Sequence, residues 1–289
     1  MSRLTNRRDL IQSSAAMLGL ATITAVAEEK GTADIDFSDP DESLLSYAKL
    51  AGSTEDAYVY SYYYGTLFGV LPSRLPEPLC GFAGLIKSLW SREEDGSFGQ
   101  QIFDIGYFTE AGTDKALERL ENPYTGELTY PQHYLVGPTR YSHKPGARPW
   151  AVFGNFVSVA TGRGIEVPNP MRPDEWPKAS AGEKLIYRFD TTYFGQLSDL
   201  QNPDSRKVRS AYTWNAFNSW LPWLHMGQRP GLVYWQSQGR KIADFSECSA
   251  GLLQHIQQTL PVYLEDSIPW TEQKNTTLAY MEKHRPSDP

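Results

Sequence analysis

Signatures of bound metals and nucleotides are missing from this chain. It holds only two cysteines, Cys80 and Cys248, and its five histidines, His133, His143, His225, His255 and His284, are scattered. There is no Cys-x-x-Cys and no His-x-x-x-His, so no metal site and no cofactor is expected. Walker and Gly-x-Ser-x-Gly motifs are absent, and Gly162-Arg163-Gly164 lacks the third glycine and the strand–helix setting of a dinucleotide loop. Excess positive charge is missing too: the formal net charge is −7. An acidic surface repels phosphate backbones, so no nucleic-acid partner is expected. No apolar run reaches the length of about 20 residues that a stable membrane span needs.

What is present begins at the N-terminus. Arg3, Arg7 and Arg8 form a positive segment, Ser13 to Ala27 is uncharged and only mildly apolar, and Ala25-Val26-Ala27 is a small-x-small cleavage site. Asn6-Arg7-Arg8-Asp9-Leu10-Ile11-Gln12 resembles a twin-arginine export signal, with Leu10, Ile11 and Gln12 departing from its usual residues. An ordinary secretory signal or an N-terminal helix are the plainer alternatives. The expectation is a signal peptide over residues 1–27, the twin-arginine export machinery as a partner, and a periplasmic or secreted mature protein. Residues 28–43, acidic and poor in apolar side chains, read as a flexible leader. Residues 44–289 read as a single β-rich domain. In an oxidising compartment Cys80 and Cys248 can bridge, or they can be two buried small hydrophobes; both readings stay open.

From Leu44 the chain reads as strand-like. Tyr58–Val70, Leu79–Trp90, Phe98–Thr109, Ala151–Ala160, Glu183–Leu197, Val208–Phe217 and Leu232–Phe245 are rich in aromatic and β-branched residues, the last interrupted by Gly239. Asn122 to Glu127 is a turn, with Pro123 presetting φ and Gly126 tolerating positive φ. Ala116–Leu120 reads as a turn of helix. Ser249 is an N-cap for a C-terminal helix that Pro261 stops. Pro168, Pro170, Pro173 and Pro177 mark a long loop. The fold class is mainly β: an antiparallel, barrel-like or strongly curved sheet with one C-terminal helix and long Pro-rich loops. Both faces of Tyr58–Val70 are apolar, which suits a curved sheet around a filled or ligand-holding interior; a sandwich explains it equally well.

Thr213 to Lys241 is the densest aromatic stretch. Trp220, Trp223 and Trp235, with Arg229 close by, suit the walls of a small-molecule pocket, and core packing is the plainer reading. His225 lies in the same stretch and ranks first among the histidines. Polar residues amid apolar strands are the other candidates. Asp104 alternates against Phe103 and Ile105, while Arg188 and Asp190 share one face. On a cavity-lining face Asp190 would accept a proton, with Arg188 or Tyr187 orienting the substrate; on an outer face the pair is an ordinary solvated one. The candidates are thus His225, Asp190, Asp104 and Tyr187 for catalysis, and Trp220, Trp223, Arg229, Trp235 and Arg188 for binding.

Trp220-Leu221-Pro222-Trp223-Leu224-His225-Met226-Gly227-Gln228-Arg229-Pro230-Gly231 is similar to the hallmark of a bacterial and fungal family called domain of unknown function 1838. Asn122 to Glu127 and Gln101 to Thr109 match it in order and spacing, over most of the chain from Leu44. Many members of that family carry twin-arginine signals, and it implies no activity and no catalytic set. Three functions remain in play. The chain is an exported acid–base enzyme without a metal acting on a small apolar or aromatic molecule, a carrier barrel with the same pocket, or an interaction protein whose aromatics are core. The composition favours the pocket and leaves enzyme against carrier open.

Overall fold

The computed structural model describes residues 34–284. Asp39 caps helix α1 (Pro40–Ala51), its carboxylate accepting from the Asp41 and Glu42 amides, with Pro40 in the first helical turn. This corrects the strand-like reading from Leu44. The cue was Asp-Pro followed by two acids, a helix start in which the capping oxygen serves free N–H groups and proline loses nothing.

Three long antiparallel strands follow, β1 (Ala57–Val70), β2 (Glu77–Arg92) and β3 (Phe98–Thr109). Ala116 to Leu120 is not helical. Ala116 bridges Thr109, and Leu120 opens a small hairpin of β4 (Leu120–Glu121) and β5 (Leu128–Thr129) around the Asn122–Glu127 turn. Next comes β6 (Tyr134–His143), which the sequence reading did not include. Its Gly137-Pro138 pair looks like a loop. In the sheet the pair forms an irregularity opposite Phe103, where a missing proline N–H costs no ladder bond.

Ala151–Ala160 is two strands rather than one. β7 (Trp150–Phe153) and β8 (Phe156–Pro168) turn at Gly154-Asn155, with Gly154 at φ 60°, where a tight hairpin needs glycine. Then come β9 (Lys184–Gln196), the short helix α2 (Leu197–Gln201), β10 (Ala211–Asn218) and β11 (Leu232–Ile242). Gly239 does not interrupt β11, which pairs continuously with β1 and β10. Helix α3 (Ala250–Thr259), capped by the Ser249 hydroxyl as expected, and α4 (Thr276–Lys283) end the described chain.

Nine strands form one antiparallel sheet in the order β6-β3-β2-β1-β11-β10-β9-β8-β7, curled into a half-barrel. Three apolar clusters explain its two-sided apolarity. Outside, α3 and the following segment cover β1, β2 and β3: Leu252, Ile256 and Tyr263 pack on Leu85, Phe103 and Ile105. Inside, α1 fills one end, where Leu44, Tyr47 and Leu50 meet Val59, Trp90 and Val159. Each such buried side chain contributes about 1.5–3 kcal/mol. The other end is filled by Trp220, Trp223, Leu224 and Met226 against Phe82, Phe108 and Trp235. Cys80 and Cys248 are free, buried and in separate clusters. Among the described residues no helix is long and apolar enough to cross a membrane.

Candidate functional site

Between the two filled ends the half-barrel keeps a cavity of about 560 Å³. One cross-strand row underlies its floor: Tyr193 on β9, Tyr212 on β10, Gly239 on β11, Tyr63 on β1, Gly84 on β2, Gly106 on β3 and Tyr134 on β6 are register partners in sequence, and Tyr193, Tyr212 and Tyr63 line the cavity itself. The glycines are slots for rings. A Cβ on Gly239 would collide with the Tyr212 ring, one on Gly84 with Tyr63, and one on Gly106 with Tyr134. Because β2 and β3 present only hydrogen there, the Tyr63 and Tyr134 rings lean over the sheet from opposite sides. Their hydroxyls meet at 2.9 Å.

Asp104 belongs to the adjoining row, between Ile86 of β2 and Val136 of β6. Its neighbours Phe103 and Ile105 face the outer helix and are fully buried, so strand alternation turns the carboxyl into the cavity. Oδ1 lies 2.8 Å from the Tyr63 hydroxyl. Asp104 sits deep in the molecule yet keeps some surface open to the cavity. Loss of water around the carboxylate raises its pKa to about 7, and the Tyr63 hydrogen bond offsets only part of that rise. Burial and the nearby carboxylate also hold the Tyr63 and Tyr134 hydroxyls well above the ordinary phenol range, so both stay protonated.

These groups form a string with two hydrogen-bond directions. With Asp104 protonated, its O–H donates to Tyr63, Tyr63 donates to Tyr134, and Tyr134 donates to the Ala83 carbonyl at 3.2 Å. With Asp104 ionised, Tyr63 turns its proton to the carboxylate. The floor therefore accommodates either charge state without leaving a hydroxyl proton unserved. Tyr212 differs. Its hydroxyl is buried, makes no hydrogen bond among the described residues, and is raised in pKa by desolvation and by Asp104. Ser61 lies near enough to lower that pKa slightly, but outside hydrogen-bond geometry.

The rim is basic. Lys144 and Arg148 come from the loop after β6, and Arg163 comes from β8. Arg163 sits 5.3 Å from the Tyr141 ring, bridging the gap between β6 and β8. Arg148 lies over the Tyr47 ring at 4.9 Å and donates to two carbonyls of its own loop. His143 stacks on Trp90 and bonds Gln100, and burial lowers its pKa to about 4, so it is neutral. A second depression, of about 830 Å³, lies over the central strands β1, β2, β10 and β11 and is lined by Tyr64, Gln236 and Gln238.

The structure brings few of the sequence candidates together. Asp104 lines the cavity. Tyr187 shares the inner face of β9 but lies beyond the lining, and burial raises its pKa. Arg188 and Asp190 are exposed on the outer face, where Asp190 accepts from Asn215 at 3.1 Å. Trp223 and Trp235 are core residues, packed on Phe108, and Trp220 donates to the Arg229 carbonyl. The Arg229 side chain is exposed. His225 adopts φ 54° and clasps three segments: Nδ1 lies 3.0 Å from Glu127 and Nε2 lies 3.1 Å from the Tyr280 hydroxyl. Asn122 ties the same turn to the Leu224 carbonyl. The dodecapeptide thus closes one barrel end and does not line the cavity.

Tyr63, Tyr134, Tyr212, Arg148 and Arg163 went unnoticed as site residues. The available signal was glycine in mid-strand at 84, 106 and 239, which marks close approach of another group. Among the described residues no group of three His, Cys, Asp or Glu side chains is placed to hold a metal ion.

Those features fit no characterised precedent by sequence, as no curated protein matches the chain. The model of one family matches residues 56–285, which span the whole sheet and all the cavity floor. The chain belongs to the family described as protein of unknown function, DUF1838.

Proposed function

We propose that the half-barrel binds a small apolar or aromatic molecule and that Asp104 moves a proton on it. The observation that carries this is a deep carboxyl, half ionised near neutrality, facing a half-open cavity beside neutral hydroxyl donors. A group with that pKa takes and returns protons at neutral pH with little driving force lost in either direction. The fitting reaction is proton transfer next to a carbonyl. The Asp104 carboxylate removes the proton from carbon, the C–H electron pair becomes a C=C bond, and the carbonyl oxygen gains the negative charge. The Tyr212 hydroxyl, without another partner, donates to that oxygen. Asp104 then returns the proton to the same or another carbon, and no oxidant or reductant is consumed. Asp190, Tyr187 and His225 have no part in this reading.

The test uses β-tetralone, an enolisable aromatic ketone, in heavy water. Wild type is expected to speed deuterium incorporation over buffer, with a pH profile turning near 7, and Asp104→Asn to lose the acceleration. Equal exchange by wild type and Asp104→Asn contradicts the catalytic role and leaves the carrier reading. A carrier is favoured by the apolar part of the lining, to which Phe189, Trp214, Tyr193 and Ile86 contribute.

The compartment belongs to this proposal as well. The twin arginines fall outside the described residues, and their reading as an export signal rests on residues 1–27 alone. Arg7→Lys together with Arg8→Lys is expected to hold the protein in the cytoplasm, as fractionation would show; unchanged export of the pair contradicts the twin-arginine route.

A further inference from the structure

We infer that the ligand of this cavity is an organic anion, an aromatic or apolar body carrying one carboxylate or similar group that Arg163 and Arg148 hold at the rim while the body lies over the tyrosine floor. The inference rests on the cavity being the binding site and deepens that reading by naming the ligand class.

Charge is the first argument. The chain as a whole is acidic, yet three of the four ionic side chains lining this cavity are cations, Lys144, Arg148 and Arg163. The single acid is Asp104, which burial holds largely protonated below neutrality. Some exposed cations elsewhere pair with carboxylates, Lys178 with Glu127, Lys184 with Glu166, Arg206 with Glu55 and Arg240 with Glu247, while others such as Arg188 and Arg229 stand on open surface; what sets the rim apart is three cations gathered around one cavity. Among the described residues neither Arg148 nor Arg163 has a carboxylate within ion-pair distance. Lys144 leans toward Asp95 and is the least committed to the cavity of the three. Partial burial already lowers the pKa of Arg148, so an anion beside it would relieve a standing desolvation cost.

Geometry is the second argument. Both guanidinium groups lie against tyrosine rings, Arg163 on Tyr141 and Arg148 on Tyr47. Stacking restrains a guanidinium face and leaves the N–H edge of Arg163 available, the geometry in which arginine grips a carboxylate, whereas Arg148 spends one N–H on each of the Gly146 and Lys144 carbonyls and has only its remaining N–H groups to offer. The two rings and their arginines come from opposite edges of the half-barrel gap and from α1, so one anion at the rim would join segments that the sheet itself leaves unpaired. Below them apolar and aromatic walls from Ile86, Phe189 and Trp214 alternate with the hydroxyl and amide groups of Ser61, Gln100 and Thr139, and Tyr212 adds a buried, unpartnered hydroxyl at the floor. A molecule with charge at one end, an apolar body and a neutral oxygen at the other matches rim, wall and floor together.

Two dyes of one shape separate charge from bulk. Anilinonaphthalene sulfonate and phenylnaphthylamine share a body and differ by the sulfonate, and both fluoresce on entering an apolar site. Wild type is expected to bind the sulfonate about ten-fold more tightly, a preference worth about 1.4 kcal/mol. Arg163→Gln and Arg148→Gln, alone and together, should erase that preference and leave the neutral dye unchanged. Thr139→Trp, which fills the cavity from β6, should abolish binding of both. Equal affinity of wild type for the two dyes, or a preference that survives the double arginine change, overturns the anion inference and leaves the cavity reading intact. Binding of neither dye, or full binding by Thr139→Trp, overturns both. Because Arg163 is exposed on β8, its single variant keeps the test valid should the Arg148 loop fail to form.

Discussion

Asp104→Asn is expected to be more stable than wild type above pH 7, by about 4 kcal/mol, and equal to it near pH 3. In the folded chain the carboxyl titrates at about 7, against 3.8 without the fold. Between those values the folded state holds a proton that the unfolded state has released. Stability contributed by the neutral carboxyl is therefore complete below pH 3.8 and lost as pH rises through 7. About three pKa units at 1.36 kcal/mol each set the magnitude, to an order of magnitude. Asparagine mimics the protonated acid and keeps a partner for Tyr63. In wild type His133 and His143, each lowered by burial to about 4, act with the opposite sign as pH falls below 6.5. Lys241, buried against the Lys49 and Gly52 carbonyls and lowered to about 7, acts at higher pH. All three cancel in the difference between variant and wild type, so urea titrations of both proteins from pH 3 to pH 8.5 isolate Asp104. A difference that does not change with pH contradicts the raised pKa. Greater stability bought by losing the ionisable group is the expected mark of a functional rather than structural residue.

Gly106→Ala is expected to break the floor outright. The added methyl would meet the Tyr134 ring and hydroxyl, and neither the buried strand nor the ring can yield without opening the Tyr63–Tyr134 contact. Overpacking of this kind costs about 1–3 kcal/mol, and the hydroxyl string to Ala83 is lost with it. Gly84→Ala should do the same through Tyr63. Gly162→Ala is the control. Its nearest neighbour, the Phe189 carbonyl, stands at an ordinary 3.7 Å, so little change is expected. Adding Tyr134→Val to Gly106→Ala should restore most of the stability and none of the function. Thermal melts of the set, with dye binding alongside, read both effects. A Gly106→Ala protein as stable as wild type, with Tyr134 still bonded to Tyr63, contradicts the slot.

The strands were legible because burial on both faces left β-branched and aromatic runs too dense for any other element. Strong curvature was legible as well, from strands apolar on both faces; what fills and covers the curved sheet was not, since an outer helix and an inner plug produce the same two-sided pattern as a second sheet. Asp104 stood out as a charge between two residues that alternation sends outward. Its partners did not, because Tyr63 and Tyr134 meet only through a register crossing four strands, and the last of those strands hides behind Gly137-Pro138. The tryptophan dodecapeptide drew attention by composition. Its indoles instead seal a barrel end, and its histidine holds a turn and α4 in place. Rare, bulky residues mark what must be packed, whereas the glycines of the floor mark what must be approached.

Carbon NMR of protein labelled at aspartate Cγ, compared between wild type and Asp104→Asn, reads the central claim without knowing any ligand. One resonance, absent from the variant, should titrate near pH 7. Titration of that resonance near pH 4 would show a solvated, ordinary carboxylate and contradict the account of the site.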